Sequence, residues 1–262
     1  MLIKPKKSLG QNFLIDKNII KKIVTISKIF NKDVLEVGPG TGNLTEYILK
    51  EKPNKIFLIE KDKTLCDQLQ LKFQNKVEIK NNDILKINEK NISGNKLVVF
   101  GNLPYNISTE IICKWILKLE EDFWFSELIL MFQKEVADRI ISKTNSSDYG
   151  RLSIFLNWKM NVEKVFDISP NCFYPKPKIQ STLIHFTPKK DYYKIKKSKN
   201  LEMVTRIFFN QKRKKIKKPL KQLFINYQEI SEKLKLDLNL RPQNLSLESY
   251  CNIVREYEKL KS

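Results

Sequence analysis

A single histidine, His185, serves the whole 262-residue chain. A Ser-His-Asp or Cys-His hydrolase would have to recruit that one residue, which argues against nucleophilic hydrolysis of either type. His185 lies in an alternating run, Leu183 and His185 against Ile184 and Phe186, where a core or strand-face role is expected. The four cysteines, Cys66, Cys113, Cys172 and Cys251, are far apart and form no Cys-x-x-Cys pair. They read as reduced thiols, buried or neutral, and leave no basis for a structural zinc. No apolar stretch approaches the ~18 residues of a membrane span, and the amino terminus shows no signal-peptide core followed by small residues. The expectation is a cytoplasmic protein with no metal and no membrane partner.

Acidic residues are also in deficit, with 29 Asp and Glu against 49 Lys and Arg and a formal net charge of +20. The imbalance is uneven: from residue 188 onward there are 20 basic against 8 acidic residues, a net +12. Such a field favours a polyanion and fast, salt-sensitive association. An AT-rich coding bias contributes, because Asn and Ile are abundant too. Yet Lys212-Arg213-Lys214-Lys215-Ile216-Lys217-Lys218 is concentrated beyond that background. Nucleic-acid contact therefore outweighs a merely solvated helix face. The length allows one α/β domain of about 190 residues plus a smaller one.

Against these scarcities stand two motifs. Phe100-Gly101-Asn102-Leu103-Pro104-Tyr105-Asn106 follows an apolar run, Leu97 to Phe100. It sets an amide, a rigid turn and an aromatic ring side by side, which suits an exocyclic amine on a flat base. The Asn102 side-chain oxygen and a backbone carbonyl accept the amine hydrogens while Tyr105 stacks on the ring. Pro104 fixes its own φ and biases Leu103 away from helix. Upstream, Asp33-Val34-Leu35-Glu36-Val37-Gly38-Pro39-Gly40-Thr41-Gly42-Asn43 runs from a strand through a glycine turn into a helix. Glycines there permit close backbone approach to a cofactor at the end of the first strand of an open α/β sheet. The next strand, Lys55 to Glu60, ends on an acid placed for ribose hydroxyls, and a third ends on Asp83. Gly-x-Gly-x-Gly followed by two acids at successive strand ends reads as an S-adenosylmethionine site rather than a dinucleotide site.

Strands are expected near 34–37, 55–60, 76–80, 97–101 and 127–132, alternating with helices near 43–51, 63–73, 107–119 and 133–142. Two more apolar segments, Leu152 to Met160 and Ser181 to Phe186, are expected to form an antiparallel hairpin at the sheet edge. The fold class is therefore α/β: a Rossmann-like, seven-stranded class I methyltransferase domain over 1–187, followed by a small all-α, basic domain over 188–262.

With a third block, Ser8-Leu9-Gly10-Gln11-Asn12-Phe13-Leu14, the chain resembles the ribosomal RNA adenine N6-dimethyltransferase family, KsgA-type, which also contains the macrolide-resistance Erm enzymes. Glu36 to Gly42 and Gly101 to Ser108 carry the likeness, with Gln133-Lys134-Glu135-Val136, Tyr149-Gly150-Arg151-Leu152-Ser153 and Phe173-Tyr174-Pro175-Lys176-Pro177-Lys178-Ile179-Gln180-Ser181. The resemblance implies that Gln11, Asn12, Leu14, Gly38, Gly40, Glu60, Asp83 and Asn102 hold the cofactor, with the leading segment closing over it. It also implies catalysis by Asn102, Leu103, Pro104 and Tyr105, with Phe173 as a second ring against a flipped base. Glu36 either orients the glycine turn or serves as a ligand, and Arg151 either meets phosphate or braces its loop. The implied RNA contacts are Arg151, Lys212, Arg213, Lys214, Lys215, Lys217 and Lys218. Lys212 stands where the family has the first of two arginines, a point charge in place of a bidentate phosphate binder.

The implied reaction accepts both N6 hydrogens on Asn102 and the Leu103 carbonyl, aims the nitrogen lone pair at the methyl donor, and needs no general base. The implied substrate is two adjacent adenosines in the 3′-terminal hairpin of 16S rRNA in the assembling small subunit, with the enzyme acting as a monomer. One adenosine of large-subunit rRNA is the alternative within the family. An RNA-binding assembly factor that keeps the fold without catalysis is the alternative outside enzymes. The full set of Glu60, Asp83 and Asn-Leu-Pro-Tyr favours the enzyme.

Overall fold

The computed structural model describes residues 5–6, 9–119 and 122–260. Ser8 of the leading block lies outside the described residues.

The short strand β1 (Phe13–Leu14) leads into α1 (Lys17–Val24), where Asp16 accepts from the backbone N–H groups of Asn18 and Ile19 as an N-cap. β2 (Asp33–Val37) is buried along its whole length, as a central parallel strand covered on both faces must be. Gly42, at φ 75°, turns the chain into α2 (Asn43–Lys50), and a Cβ there would lie 2.5 Å from the Phe73 ring. Both the left-handed backbone and the ring contact demand glycine.

β3 (Lys55–Glu60), α3 (Lys63–Phe73), β4 (Glu78–Asn81), β5 (Leu97–Gly101), α4 (Ser108–Leu117) and β6 (Phe125–Gln133) continue the alternation. After α5 (Lys134–Ile141) come α6 (Arg151–Lys159), β7 (Met160–Ile168), β8 (Phe173–Tyr174) and β9 (Ser181–Pro188). The rest is helical: α7 (Ser198–Phe209), α8 (Lys217–Leu223), α9 (Tyr227–Lys233) and α10 (Leu247–Lys259).

One sheet has seven strands in the order β4-β3-β2-β5-β6-β9-β7. β4 through β6 are parallel neighbours, and β9 runs antiparallel to β6, with Ser181 opposite Gln133 and His185 opposite Ile129. A second, two-stranded sheet pairs β1 with β8, Phe13 opposite Tyr174 and Leu14 opposite Phe173. The seven-stranded α/β plan expected from the motif spacing is present.

One expectation fails. Leu152 to Met160 is not a strand: Arg151–Lys159 is α6, and the edge strand is Met160–Ile168. Ile154, Phe155, Leu156 and Trp158 are all buried, so the run is apolar without a strand's alternation, and such runs fit a buried helix equally well. Gly150 decides the matter locally, its N–H donating to Ser153 Oγ at 3.1 Å to start the helix.

The chain divides into two compact units. The first is drawn from Met1–Trp115, Leu119–Ala137 and Glu163–Pro188, the second from Ile116–Lys118, Asp138–Val162 and Lys189–Ser262. The expected boundary lies between residues 187 and 188; here Pro188 closes the first unit, and 138–162 groups with the C-terminal helices. The core of the first unit runs from α1 (Ile20, Ile23, Val24) through α2 and α3 to the strand residues Val34, Leu58, Val98 and Met131. In the second, Tyr250 of α10 meets Phe208 edge-on at 5.4 Å, and its hydroxyl donates to the Pro242 carbonyl at 2.8 Å.

Candidate active site

Within the first unit, the carboxyl ends of β2, β3 and β5 and the leading segment wall a single cleft. This is the end of an open parallel sheet where ligands sit. The glycine turn after β2 holds Gly38 at φ 69° and Gly40 at φ 57°. A Cβ on Gly40 would lie 2.7 Å from the Phe13 ring, so the leading segment packs directly on a backbone without side chain.

Glu60, at the end of β3, is 7% exposed. Its carboxylate accepts the Gly40 N–H at 3.2 Å and the Asp62 N–H at 2.9 Å. Burial pushes its pKa up, and the backbone amides pull against that shift. A carboxylate has roughly four acceptor positions, so these backbone amides leave capacity for a hydroxyl group in the cleft. Glu36 also reaches the cleft wall; it accepts the Thr45 hydroxyl at 2.6 Å, and burial raises its pKa to about 7. Through Thr45 it ties β2 to α2 on either side of the glycine turn.

The leading segment is fastened at several points. Asp62, the N-cap of α3, receives Lys6 Nζ at 2.8 Å and Gln11 Nε2 at 3.1 Å, while Gln11 Oε1 accepts the Lys6 N–H at 2.7 Å. Burial pulls the Asp62 carboxyl upward, but Lys6, Gln11 and the Thr64 amide outweigh it and hold the pKa below its ordinary value. The Leu14 carbonyl accepts Asn43 Nδ2 at 2.8 Å, and the Asn12 carbonyl accepts Asn102 Nδ2 at 2.7 Å. The last contact orients the Asn102 amide. A carbonyl partner requires the NH2 end, so Oδ1 remains the end available to accept a substrate hydrogen.

Of the residues expected from the sequence, Gln11, Asn12, Leu14, Gly38, Gly40, Glu60, Asn102, Leu103, Pro104 and Tyr105 line this cleft. Asp83 and Phe173 do not. The Asp83 carboxylate accepts Lys61 Nζ at 2.8 Å and the Leu85 N–H at 3.0 Å, and the Lys61 bond leads in lowering its pKa. Lys61 is the neighbour that reaches the cleft wall. Phe173 is 3% exposed in the core, whereas Tyr174 is 54% exposed, because successive side chains of β8 point to opposite faces. Asp62, Asn43 and Ser181 take part as well, without a role expected from the sequence. Asn43 and Asp62 carry a signal, a polar residue opening a helix just after a cofactor-side turn.

In the second unit, Arg213, Lys214, Lys215, Lys217 and Lys218 are exposed around the start of α8. Lys212 donates to the Ser147 carbonyl and Lys215 to Asn239 Oδ1. Arg151 of α6 lies 3.6 Å from Glu202 of α7, an ion pair with both side chains partly exposed. Among the described residues no group of His, Cys, Asp or Glu could hold a metal, and no helix is long and apolar enough to cross a membrane.

The seven-stranded sheet, the glycine turn beside a buried acid and the Asn-Leu-Pro-Tyr turn define a methyltransferase that acts on an amine. The comparisons narrow this class. The family model described as ribosomal RNA adenine dimethylase matches residues 3–259, and the chain belongs to that family, whose methyl donor is S-adenosylmethionine. The chain is 59% identical over 261 residues, covering all of both chains, to a ribosomal RNA small subunit methyltransferase A of Pelagibacter ubique. It is 41% identical to the protein of that name in Ehrlichia ruminantium, over 96% of this chain and 97% of the relative. Among solved structures, a dimethyladenosine transferase from Plasmodium falciparum superposes with a TM-score of 0.79 at 26% identity, over 94% of this chain and 98% of that one. The 23S rRNA methyltransferase ErmE shares the fold, with a TM-score of 0.69 at 20% identity over 95% and 100% of the two chains.

Proposed function

We propose that this enzyme dimethylates N6 of two adjacent adenosines in the 3′-terminal hairpin loop of 16S rRNA, as a cytoplasmic monomer acting on the assembling small subunit. The observation that carries the chemistry is the Asn102 amide, oriented by the Asn12 carbonyl at 2.7 Å beside the Tyr105 ring. Adenine N6 is a poor nucleophile because its lone pair is delocalised into the ring. Asn102 Oδ1 and the Leu103 carbonyl accept its two hydrogens and draw the nitrogen towards a pyramidal geometry, freeing that lone pair. Tyr105 stacks on the extruded base and fixes its plane. The amine becomes strongly acidic once it is alkylated, so its proton leaves to water without a histidine.

The cleft fits S-adenosylmethionine, which supplies an electrophilic methyl group when bound. Gly38 and Gly40 let backbone approach it, Glu60 has acceptor capacity left for a ribose hydroxyl, and Asn12 and Leu14 border it from the leading segment. Asp83 acts on the cleft through Lys61. The high identity to small-subunit methyltransferases favours this target over the large subunit.

The test is methyl transfer from labelled S-adenosylmethionine into unmodified small and large ribosomal subunits in parallel. Label in the small subunit, as dimethyladenosine, is expected. Label in the large subunit alone would move the enzyme to the other branch. Bound RNA without label in either would overturn catalysis.

A further inference from the structure

Tyr105 lines the cleft, yet the tip of its ring is anchored outside the Asn-Leu-Pro-Tyr turn. Its hydroxyl and Ser181 Oγ lie 2.5 Å apart and share a hydrogen bond. Ser181 is fully buried at 0% exposure and is the first residue of β9, paired across the sheet with Gln133, the last residue of β6. β6 is the parallel neighbour of β5, whose end delivers Asn102 to Tyr105. The antiparallel strand thus begins where the parallel strands end, and its first side chain meets the active-site ring. A stacking ring held only by its own backbone turns about χ1 and χ2, whereas a bond at its far tip fixes both.

We propose that Ser181 is a positioning residue for the methyl transfer, holding the Tyr105 ring in the plane against which the target adenine stacks. Its hydroxyl does not touch the reacting atoms; it acts through Tyr105. Burial alone would explain a partner for the phenol, since a buried hydroxyl left unpaired is destabilising. The positioning role makes a further demand. Loss of the bond must lower turnover of bound RNA, and it must do so equally from either partner. The inference rests on Tyr105 being the stacking ring.

The experiment is a double-mutant cycle on the full chain, with transfer into unmodified small subunits as readout. Cofactor affinity by calorimetry and melting temperature are controls. Ser181→Ala and Tyr105→Phe each keep the ring, and each is expected to lower kcat about tenfold, the size of one hydrogen bond. The double variant is expected to lose no more than either single one, with cofactor affinity unchanged. Ser181→Thr, which restores a hydroxyl, is expected to recover most of the activity. Full activity in Ser181→Ala, or independent losses that multiply in the double variant, would overturn the inference. Should Ser181→Ala fail to fold, Tyr105→Phe carries the test, and wild-type kcat in that variant overturns it. Tyr105→Ala separates the two layers: if it is inactive while Ser181→Ala is not, stacking stands and positioning falls. If Tyr105→Ala is fully active, the stacking reading itself is wrong.

Discussion

The single histidine is spent on holding strands together. His185 Nε2 lies 3.0 Å from Glu127 Oε2, while Ser27 and Lys32 donate to the other carboxylate oxygen. The histidine bond leads in drawing the Glu127 pKa down to about 2, with Ser27 and Lys32 adding to it. A folded value below the ordinary 4.5 means that this stabilisation is complete above about pH 4.5 and is lost as the pH falls towards 2. Glu127→Gln is expected to flatten the acid limb of the stability profile and to lower stability at neutral pH by about 1–3 kcal/mol. Denaturant unfolding at pH 7 and pH 3 measures both. Glu36 has the opposite sign. Its pKa of about 7 makes the folded state bind more protons than the unfolded one between pH 4.5 and 7, so its contribution weakens as the pH rises through that window.

Among the elements, the leading segment is held to the α3 amino terminus by Asp62, the partner of both Lys6 and Gln11. Asp62→Asn removes the ion pair but keeps a residue able to cap α3. Cofactor affinity is expected to fall about three- to tenfold, with kcat at saturating cofactor little changed. Calorimetric titration checks this, and unchanged affinity would show that the latch is idle. The strand ends and the glycine turn were legible in the sequence because each rests on a local rule: buried strands read as apolar runs, and left-handed turns demand glycine. Other elements lack such rules. Leu152 to Met160 gives the same apolar signal as helix or strand, and only the Gly150–Ser153 contact resolves it. Phe173 sits in a motif whose spacing says nothing of which face β8 turns inward, and its pairing with β1 sends Phe173 to the core and Tyr174 out. Asp83 and Ser181 take their roles from partners, Lys61 and Tyr105, that only the fold brings near.

For the whole molecule, the proposed RNA contact rests on the net charge of +20 and the lysine-rich start of α8. Lys214, Lys217 and Lys218 are exposed, so replacing all three with Ala removes charge without disturbing a core. RNA affinity is expected to weaken. Its salt dependence should become shallower by about 0.7–0.9 in log–log slope for each phosphate that the protein no longer neutralises. KM for the particle should rise while kcat holds; filter binding across a salt series together with steady-state kinetics reads both. A fall in kcat alone would place these lysines in the chemistry instead.

The chemistry proposed for this enzyme turns on the Asn102 amide making adenine N6 reactive. The most direct test measures Asn102→Ala twice, for cofactor binding by calorimetry and for dimethyladenosine in digested small-subunit rRNA by mass spectrometry. Product is expected to fall about a hundred- to a thousandfold, with cofactor affinity within about tenfold of wild type. Dimethyladenosine at wild-type levels in that variant would contradict that chemistry.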